Sequence, residues 1–184
     1  MTESDLHIHN TLIEECRRGS RKAQFRLYNL YSRAMYNIAY RIVGNREEAE
    51  DMLQEAFTDC FRNLGTYRSE STFGAWLKTI VINRCINRLR KREAELVYVD
   101  DYKEVEKAEE ETPPEPWPDP AVIAKAVEKL PDGYRVVFSL YLLEGYDHNE
   151  ISQIMNISES TSKTQYLRAK EKLKKILSNM RKDG

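Results

Sequence analysis

The chain has 184 residues, which suffice for one domain or two small ones, and its 41% hydrophobic content can build compact cores. It contains no run of about 18 apolar residues, and its N-terminus lacks a basic region followed by an apolar one. We therefore expect a cytoplasmic protein with neither a secretory leader nor a membrane-inserted segment.

The net charge of −1 conceals an uneven distribution. Residues 93–119 contain 11 acidic side chains and two lysines, a net charge of −9 that leaves +8 on the rest of the chain. Five prolines also fall between Pro113 and Pro120. Because self-repelling charge and missing N–H donors oppose folding, we predict an acidic, Pro-rich flexible linker over 93–119. This linker is either a passive spacer or an acidic mimic of nucleic acid that shields a basic surface.

The linker separates two predicted all-α domains, residues 1–92 and 120–184. In the first domain, a short helix is expected to begin at Asn10 or Thr11 and to end at Gly19. Ser20 is the expected N-cap of a second helix that continues to Gly44. One apolar face is predicted along this second helix, formed by Ala23, Leu27, Leu30, Tyr31, Ala34, Ile38 and Ile42.

A third helix follows a capping-box pattern at Asn45 and Glu48 and is expected to end at Gly65. Its apolar positions keep i, i+3, i+4, i+7 spacing, so the opposite side faces solvent. Solvation is the default for that polar side. However, three of its residues form a compact acidic cluster suited to docking on a basic partner surface: Asp51, Gln54 and Glu55.

A polar loop, residues 66–70, leads into a fourth helix for which Ser71 is the expected N-cap. Amides and arginines interleave along this helix at Asn83, Arg84, Asn87, Arg88 and Arg90, a pattern that suits phosphate and base-edge contacts. Tyr67 or Trp76 could stack on an unpaired base, with core packing as the alternative for Trp76.

The second domain contains a predicted helix-turn-helix. Asp147 and Glu150 form a capping box, Asn156 can adopt the left-handed turn conformation, and Ser158 can cap the longer helix that follows. That helix places Ser162, Tyr166, Ala169, Leu173 and Ile176 on one side and Lys163, Thr164, Leu167, Arg168 and Glu171 on the other. The second helix of such a motif enters the DNA major groove, whereas a solvated lysine-rich face is the simpler alternative.

Two segments of the chain resemble conserved regions of the sigma-70 family of RNA polymerase sigma factors. AEDMLQEAF and FGAWLKTIVINRCINRLR are similar to the second region, and EISQIMNISESTSKTQYLRAKEKL is similar to the fourth. Both blocks in this order, joined by a short linker without the family's third region, resemble an extracytoplasmic-function (ECF) sigma factor. The resemblance implies binding to core RNA polymerase and to promoter DNA, no cofactor and no metal, and it allows for an anti-sigma factor.

The resemblance also implies residue roles. Asp51, Gln54 and Glu55 correspond to the site that docks on the clamp helices of the polymerase β′ subunit, and the β subunit is a further expected partner. The minus-10 element would be recognised and opened by Thr66, Tyr67, Arg68, Ser69, Asn83, Arg84 and Arg88. Lys163, Thr164, Leu167 and Arg168 would enter the major groove at the minus-35 element.

Three positions depart from the family pattern. Asn156 replaces the usual Gly of the turn, which is tolerable because Asn also visits the left-handed region. Ser162 replaces an apolar residue, so looser packing is expected there. Gln165 replaces a frequent arginine, so one phosphate contact and part of the salt dependence are expected to be missing.

Three other classes of protein compete with this interpretation. An enzyme would need clustered acid, base or metal-binding residues, whereas His7, His9 and His148 belong to no Glu-x-x-His or similar pair and are expected on a tail or loop. We therefore predict no enzymatic activity. An ordinary helix-turn-helix regulator would bind DNA without polymerase and would not need the Asp51, Gln54, Glu55 cluster. A purely protein-binding adaptor would leave the two basic domains unexplained.

The cysteines point to a reducing environment. Cys16, Cys60 and Cys85 are odd in number, widely spaced and set in apolar helical patterns. No CxxC motif or Cys/His cluster is present, so we predict buried, reduced thiols rather than a metal site.

Overall fold

The structure is a computed structural model, and it describes residues 3–92 and 119–182. All regular elements in these two ranges are helical, which confirms the predicted fold class. No helix in the same ranges is both long and apolar enough to cross a membrane. The chain divides into two compact units at the boundary between residues 92 and 93. The predicted linker lies outside the described residues, apart from Asp119.

The first unit is a bundle of four helices and a short 3-10 turn within residues 3–92. The elements are α1 (Glu3–Arg17), α2 (Arg21–Val43), α3 (Arg46–Arg62), the 3-10 turn Leu64–Thr66 and α4 (Phe73–Arg92). Helices α2, α3 and α4 pack on one another, and α1 packs on α2 and on the 3-10 turn. The least exposed large side chains of this core are Leu27, Ile42, Val43, Val81, Leu77, Ile82 and Leu89.

Local capping signals position most of these helices as predicted. Ser20 Oγ accepts a hydrogen bond from the Ala23 amide at 3.3 Å, and Gly44 ends α2 in the left-handed conformation, with φ 71°. Asn45 Oδ1 accepts from the Glu48 amide at 3.0 Å. These bonds satisfy backbone groups that a helix end leaves without intrahelical partners.

Four expectations about the first unit were wrong. Helix α1 begins at Glu3 rather than at Asn10 or Thr11, because the cap signal there is weaker than the continuing helical pattern. The cap of α4 is Thr72 and not Ser71, since Thr72 Oγ1 accepts from the Ala75 amide at 3.2 Å. Helix α3 ends at Arg62, before Gly65. Two members of the predicted apolar face of α2 are exposed: Leu30 and Ala34.

The second unit comprises four helices and one π-helical turn within residues 119–182. The elements are α5 (Pro120–Glu128), α6 (Asp132–Phe138), the π turn Ser139–Leu143, α7 (His148–Met155) and α8 (Glu159–Lys182). Asp119 is the N-cap of α5, and its carboxylate accepts from the Ala121 amide at 2.8 Å. Helix α8 contributes Ala169 and Leu173 to a core that also contains Ala126, Val127, Leu130 and Phe138.

The helix-turn-helix prediction is confirmed in detail. Both bonds of the capping box are present at 2.8 Å, one from the Glu150 amide to Asp147 and one in return. Asn156 ends α7 in the left-handed conformation, with φ 53°. Ser158 Oγ accepts from the Thr161 amide at 3.0 Å and so caps α8. A short helix, a left-handed corner and a longer helix therefore follow one another directly.

Candidate nucleic-acid interface

The acidic cluster lies on the solvent-facing side of α3. Asp51, Gln54 and Glu55 are all exposed, on the side opposite the buried Ala56 and Cys60. A groove of about 550 Å³ adjoins Gln54, between α2 and α3. It is lined by Tyr28, Ser32, Arg33, Tyr36, Glu50, Leu53 and Gln54. The structure thus brings the three predicted docking residues together beside a concave surface.

The loop at residues 66–70 is closed by one aromatic side chain. Tyr67 is only 6% exposed, and its hydroxyl donates to Ser71 O at 2.8 Å. Its ring lies 5.5 Å from that of Phe73 and 5.3 Å from that of Trp76, measured between centroids. Tyr67 therefore lies beneath the loop, and its ring is not available to stack on a base in this conformation. Sequence reasoning had predicted a direct DNA contact for this side chain.

The rest of the loop is open to solvent. Thr66, Arg68, Ser69 and Glu70 are exposed, and Ser69 has a left-handed backbone with φ 60°. Thr66, Arg68 and Glu70 border a second groove of about 550 Å³, which Tyr67 and Trp76 also line. Trp76 is half-buried and packs against Tyr67 while bordering the groove, so both interpretations of this tryptophan are partly met.

Helix α4 presents its amides and its arginines differently. Asn83 and Asn87 are exposed along one stripe. Arg84, however, turns towards α3, where its Nε and Nη2 both bond to Asp59 Oδ2 and its Nη1 lies 3.4 Å from Glu55 Oε2. A guanidinium already paired with carboxylates presents less positive potential to a phosphate.

Arg88 also faces the acidic residues of α3. Its Nε lies 3.5 Å from Glu48 Oε1, and Arg92 Nη1 lies 2.9 Å from Glu48 Oε2. Two predicted DNA-binding arginines, Arg84 and Arg88, are thus partners of carboxylates in this structure. Sequence reasoning missed Asp59 and Glu48, because a contact between residues 25 or more positions apart leaves no local signal.

The outer face of α8 has the predicted arrangement. Lys163 and Leu167 are exposed, while Thr164 and Arg168 are half-buried on the same side. Lys163 Nζ lies 2.6 Å from Glu159 Oε1, and Thr164 Oγ1 donates to Ser160 O at 3.0 Å. The face is therefore cationic and polar around one exposed leucine.

Gln165 does not belong to that face. It is half-buried, and its Oε1 atom is shielded from solvent without a hydrogen-bond partner in the described part of the chain. A Cβ atom added to Gly133 would lie 3.7 Å from this oxygen, so the amide points towards α6. In this conformation the Gln165 side chain packs against α6 and does not extend from the outer face of α8.

The expected looser packing at Ser162 is not observed. Ser162 is fully buried, and its Oγ lies 2.9 Å from His148 Nδ1. The His148 ring stacks on Tyr141 at 4.4 Å, with an interplanar angle of 12°. His148 is the first residue of α7 and not part of a loop, and it ties α7 to the start of α8. This histidine and Ser162 thus fix the orientation of α8 relative to α7.

The cysteines are free and buried, as predicted. Burial raises the pKa of Cys16 to about 11 and the pKa of Cys60 and Cys85 to about 12. All three thiols are therefore protonated at neutral pH, which makes them poor nucleophiles and poor metal ligands.

Comparison with known proteins agrees with this geometry. The model of Sigma-70 region 2 matches residues 27–95, and the model of Sigma-70, region 4 matches residues 121–173. The chain is 30% identical to the ECF RNA polymerase sigma factor SigW of Bacillus subtilis (strain 168), over 91% of this chain and 96% of that protein. The chain belongs to the sigma-70 family, as an ECF sigma factor. It therefore directs promoter-specific transcription initiation by RNA polymerase.

Further relatives agree with membership of this ECF sigma family. The chain is 30% identical to the ECF sigma factor BldN of Streptomyces coelicolor, over 95% of this chain and 68% of that protein. Its fold is similar to that of the sigma factor RpoE from Bartonella quintana, solved in complex with the anti-sigma factor NepR. That similarity has a TM-score of 0.56 at 23% identity and covers 83% of this chain and 95% of the other.

Proposed function

We propose that three surfaces of this ECF sigma factor divide its work: the acidic face of α3 binds core polymerase, the loop at 66–70 opens the minus-10 element, and the outer face of α8 recognises the minus-35 element. The observation that carries this proposal is the orientation of α8. Its cationic, polar residues point outwards from a helix-turn-helix whose opposite face is buried, and this is the geometry with which such motifs enter the major groove.

The polymerase-binding surface comprises Asp51, Gln54 and Glu55, which would dock on the clamp helices of the polymerase β′ subunit. Exposed carboxylates beside a groove favour a basic, convex partner. Asp51 and Glu55 are both exposed, although Glu55 also lies 3.4 Å from Arg84 Nη1, so their contribution should be mainly to the association rate and should weaken with salt. A second polymerase contact with the β subunit belongs to the same proposal.

At the minus-10 element, we assign direct contacts to the exposed residues. Thr66 and Arg68 line the open groove, Ser69 is exposed at the tip of the loop, and Asn83 lies on the exposed stripe of α4. Tyr67 supports the loop from below. Arg84 and Arg88 supply a background positive potential and brace α4 against α3. A base that is to be bound in the groove must first leave the stack, and the loop provides the site that receives it.

At the minus-35 element, Lys163 and Arg168 are the expected phosphate or guanine ligands, and Thr164 and Leu167 are suited to apolar contact with thymine methyl groups. Arg168→Ala should reduce discrimination at the minus-35 element by about 1–3 kcal/mol, with a smaller effect at the minus-10 element. Footprinting on promoters with one element randomised measures both effects. Equal losses at the two elements would contradict the assignment.

The two DNA-binding units act together only on polymerase. Each has few contacts, and holding both on one large enzyme makes the second contact intramolecular. In this proposal catalysis belongs to the polymerase, and the sigma factor acts in the cytoplasm. An anti-sigma factor is a further partner to test, because RpoE, which has a similar fold, was solved in complex with the anti-sigma factor NepR. A polymerase-independent helix-turn-helix regulator is the alternative, and it predicts full DNA affinity without polymerase.

A charge-only substitution tests the polymerase surface. The double variant Asp51→Asn, Glu55→Gln keeps the shape of both side chains and removes two charges. We expect its affinity for core polymerase to fall on the order of tenfold at low salt and by less at high salt. Glu15→Gln, at an exposed acidic position of α1, is the matched control. Unchanged affinity in a folded double variant would refute the docking surface.

A further inference from the structure

The promoter-opening loop is held from outside by a side chain of α1. Arg17 Nε donates to Leu64 O at 3.3 Å, and Arg17 Nη2 donates to Tyr67 O. These carbonyls belong to the first residue of the 3-10 turn and to the residue just after it. One guanidinium therefore spans the whole turn from which the loop emerges.

The guanidinium is itself oriented by a carboxylate. Glu14 Oε1 lies 2.5 Å from Arg17 Nη1, one helical turn earlier on α1. The planar fork of arginine can donate to both carbonyls and to this carboxylate at once, whereas a lysine has a single nitrogen. The Arg17 side chain is 30% exposed, so these bonds are partly shielded from water.

The loop needs such a support. Ser69 has a φ of 60°, a backbone conformation that costs a non-glycine residue about 1 kcal/mol or more. The Tyr67 hydroxyl closes the loop by donating to Ser71 O at 2.8 Å. Tyr67 is thus held through its carbonyl by Arg17 and in turn holds the far end of the loop. The exposed segment 68–70 is the tip of this braced structure.

We propose that Arg17 is a positioning residue for promoter opening. It touches no DNA itself but sets the height and angle at which the tip of the loop meets the unpaired strand. This inference rests on the proposed function of the loop. Arg17 lies on α1, which precedes the segment matched by the region 2 model.

The decisive experiment compares two templates in polymerase holoenzyme assembled with full-length sigma factor. One is a duplex promoter, and the other carries mismatches that unpair the minus-10 element in advance. Arg17→Lys keeps the charge but replaces the separate Nε and Nη2 donors with one ammonium nitrogen, so its rate of open-complex formation on the duplex should fall on the order of 3- to 10-fold. On the pre-opened template the loss should shrink to about twofold or less, because the unpairing cost has been removed.

Two variants serve as controls. Arg18→Lys changes the neighbouring exposed arginine and should leave both rates unchanged. Replacing residues 68–70 with Gly and Ser tests the loop itself. If that replacement leaves opening intact, the proposed function of the loop fails. If it abolishes opening while Arg17→Lys opens the duplex normally, only the inference about Arg17 is overturned. An equal loss on both templates would also overturn it, since that pattern indicates a general structural defect.

Discussion

The ion pair between Arg84 and Asp59 gives the sharpest test of how α4 is built. We expect Arg84→Gln and Asp59→Asn each to lower the free energy of unfolding. The first leaves Asp59 without its cation across the α3 and α4 interface, and the second leaves Arg84 with only the longer contact to Glu55. The double variant should be more stable than the sum of the two losses implies. That difference is the coupling energy of the pair.

The size of the coupling follows from the exposure of the two side chains. Asp59 is 17% exposed and Arg84 is 40% exposed. Charge-assisted hydrogen bonds contribute about 1.5–3 kcal/mol when shielded, whereas exposed ion pairs contribute about 0.2–1 kcal/mol. Because solvent screens more than a third of Arg84, we expect a coupling of about 1 kcal/mol, decreasing as salt is raised.

Urea unfolding at two salt concentrations provides the measurement. Trp76 reports on the first unit, and a Trp117→Phe background removes the fluorescence of the second tryptophan. Asn83→Ala combined with Asp59→Asn is the control cycle, since Asn83 lies on the exposed stripe and should show a coupling near zero. A coupling below about 0.3 kcal/mol for the Arg84 pair would refute the bracing role. So would a loss of minus-10 selectivity larger for Arg84→Gln than for Asn83→Ala at equal stability.

Three further predictions concern packing and thiol chemistry. Ser162→Ala should lower the free energy of unfolding of the second unit by about 1 kcal/mol and weaken minus-35 recognition, because His148 loses its bonding partner. Ser178→Ala, at an exposed position of the same helix, should change neither quantity. Leu77→Ala should lower the free energy of unfolding by about 3–5 kcal/mol, whereas Leu30→Ala, at a 54% exposed position, should lower it by about 0.5 kcal/mol or less. Equal losses in urea unfolding would contradict the packing of α2 and α4. The pKa of each thiol in the folded state is about 11 or 12, above its usual value. Alkylation of the native protein at pH 8 should therefore be slow, should accelerate as pH rises, and should become fast in urea. Rapid labelling of the native protein would contradict the burial of the thiols.

The local signals of the sequence were sufficient for most helix ends. Ser20, Asn45, Ser158 and the Asp147 capping box all act at the predicted positions, because a cap bonds to an amide only two or three residues away. The left-handed corner at Asn156 was also predictable, because Asn tolerates the left-handed backbone conformation. At α4 the predicted cap was Ser71, whereas its neighbour Thr72 makes the capping bond.

The outward faces were predictable only where the apolar pattern was strong. On α3 and α8 the period of 3.6 separates buried from exposed residues, and the acidic cluster and Lys163 lie where expected. On α2 the predicted apolar face was too wide, because Leu30 and Ala34 share its periodicity but are exposed, with no helix covering them among residues 9–92. Periodicity reports a possible contact and not the partner that makes it.

The sequence by itself determined the all-helical class, the helix-turn-helix and its outer face, since these follow from interactions within about one turn of the chain. The division into two units followed from the charge and proline content of residues 93–119. Only the tertiary structure decided which polar side chains already have hydrogen-bond or ion-pair partners within the protein. It paired Arg84 with Asp59, buried Tyr67 beneath its own loop and joined Arg17 to carbonyls 47 and 50 residues away. Such partners are selected by the packing of whole helices, and a guanidinium or hydroxyl in the sequence is equally able to bond to DNA, to water or to a distant backbone carbonyl.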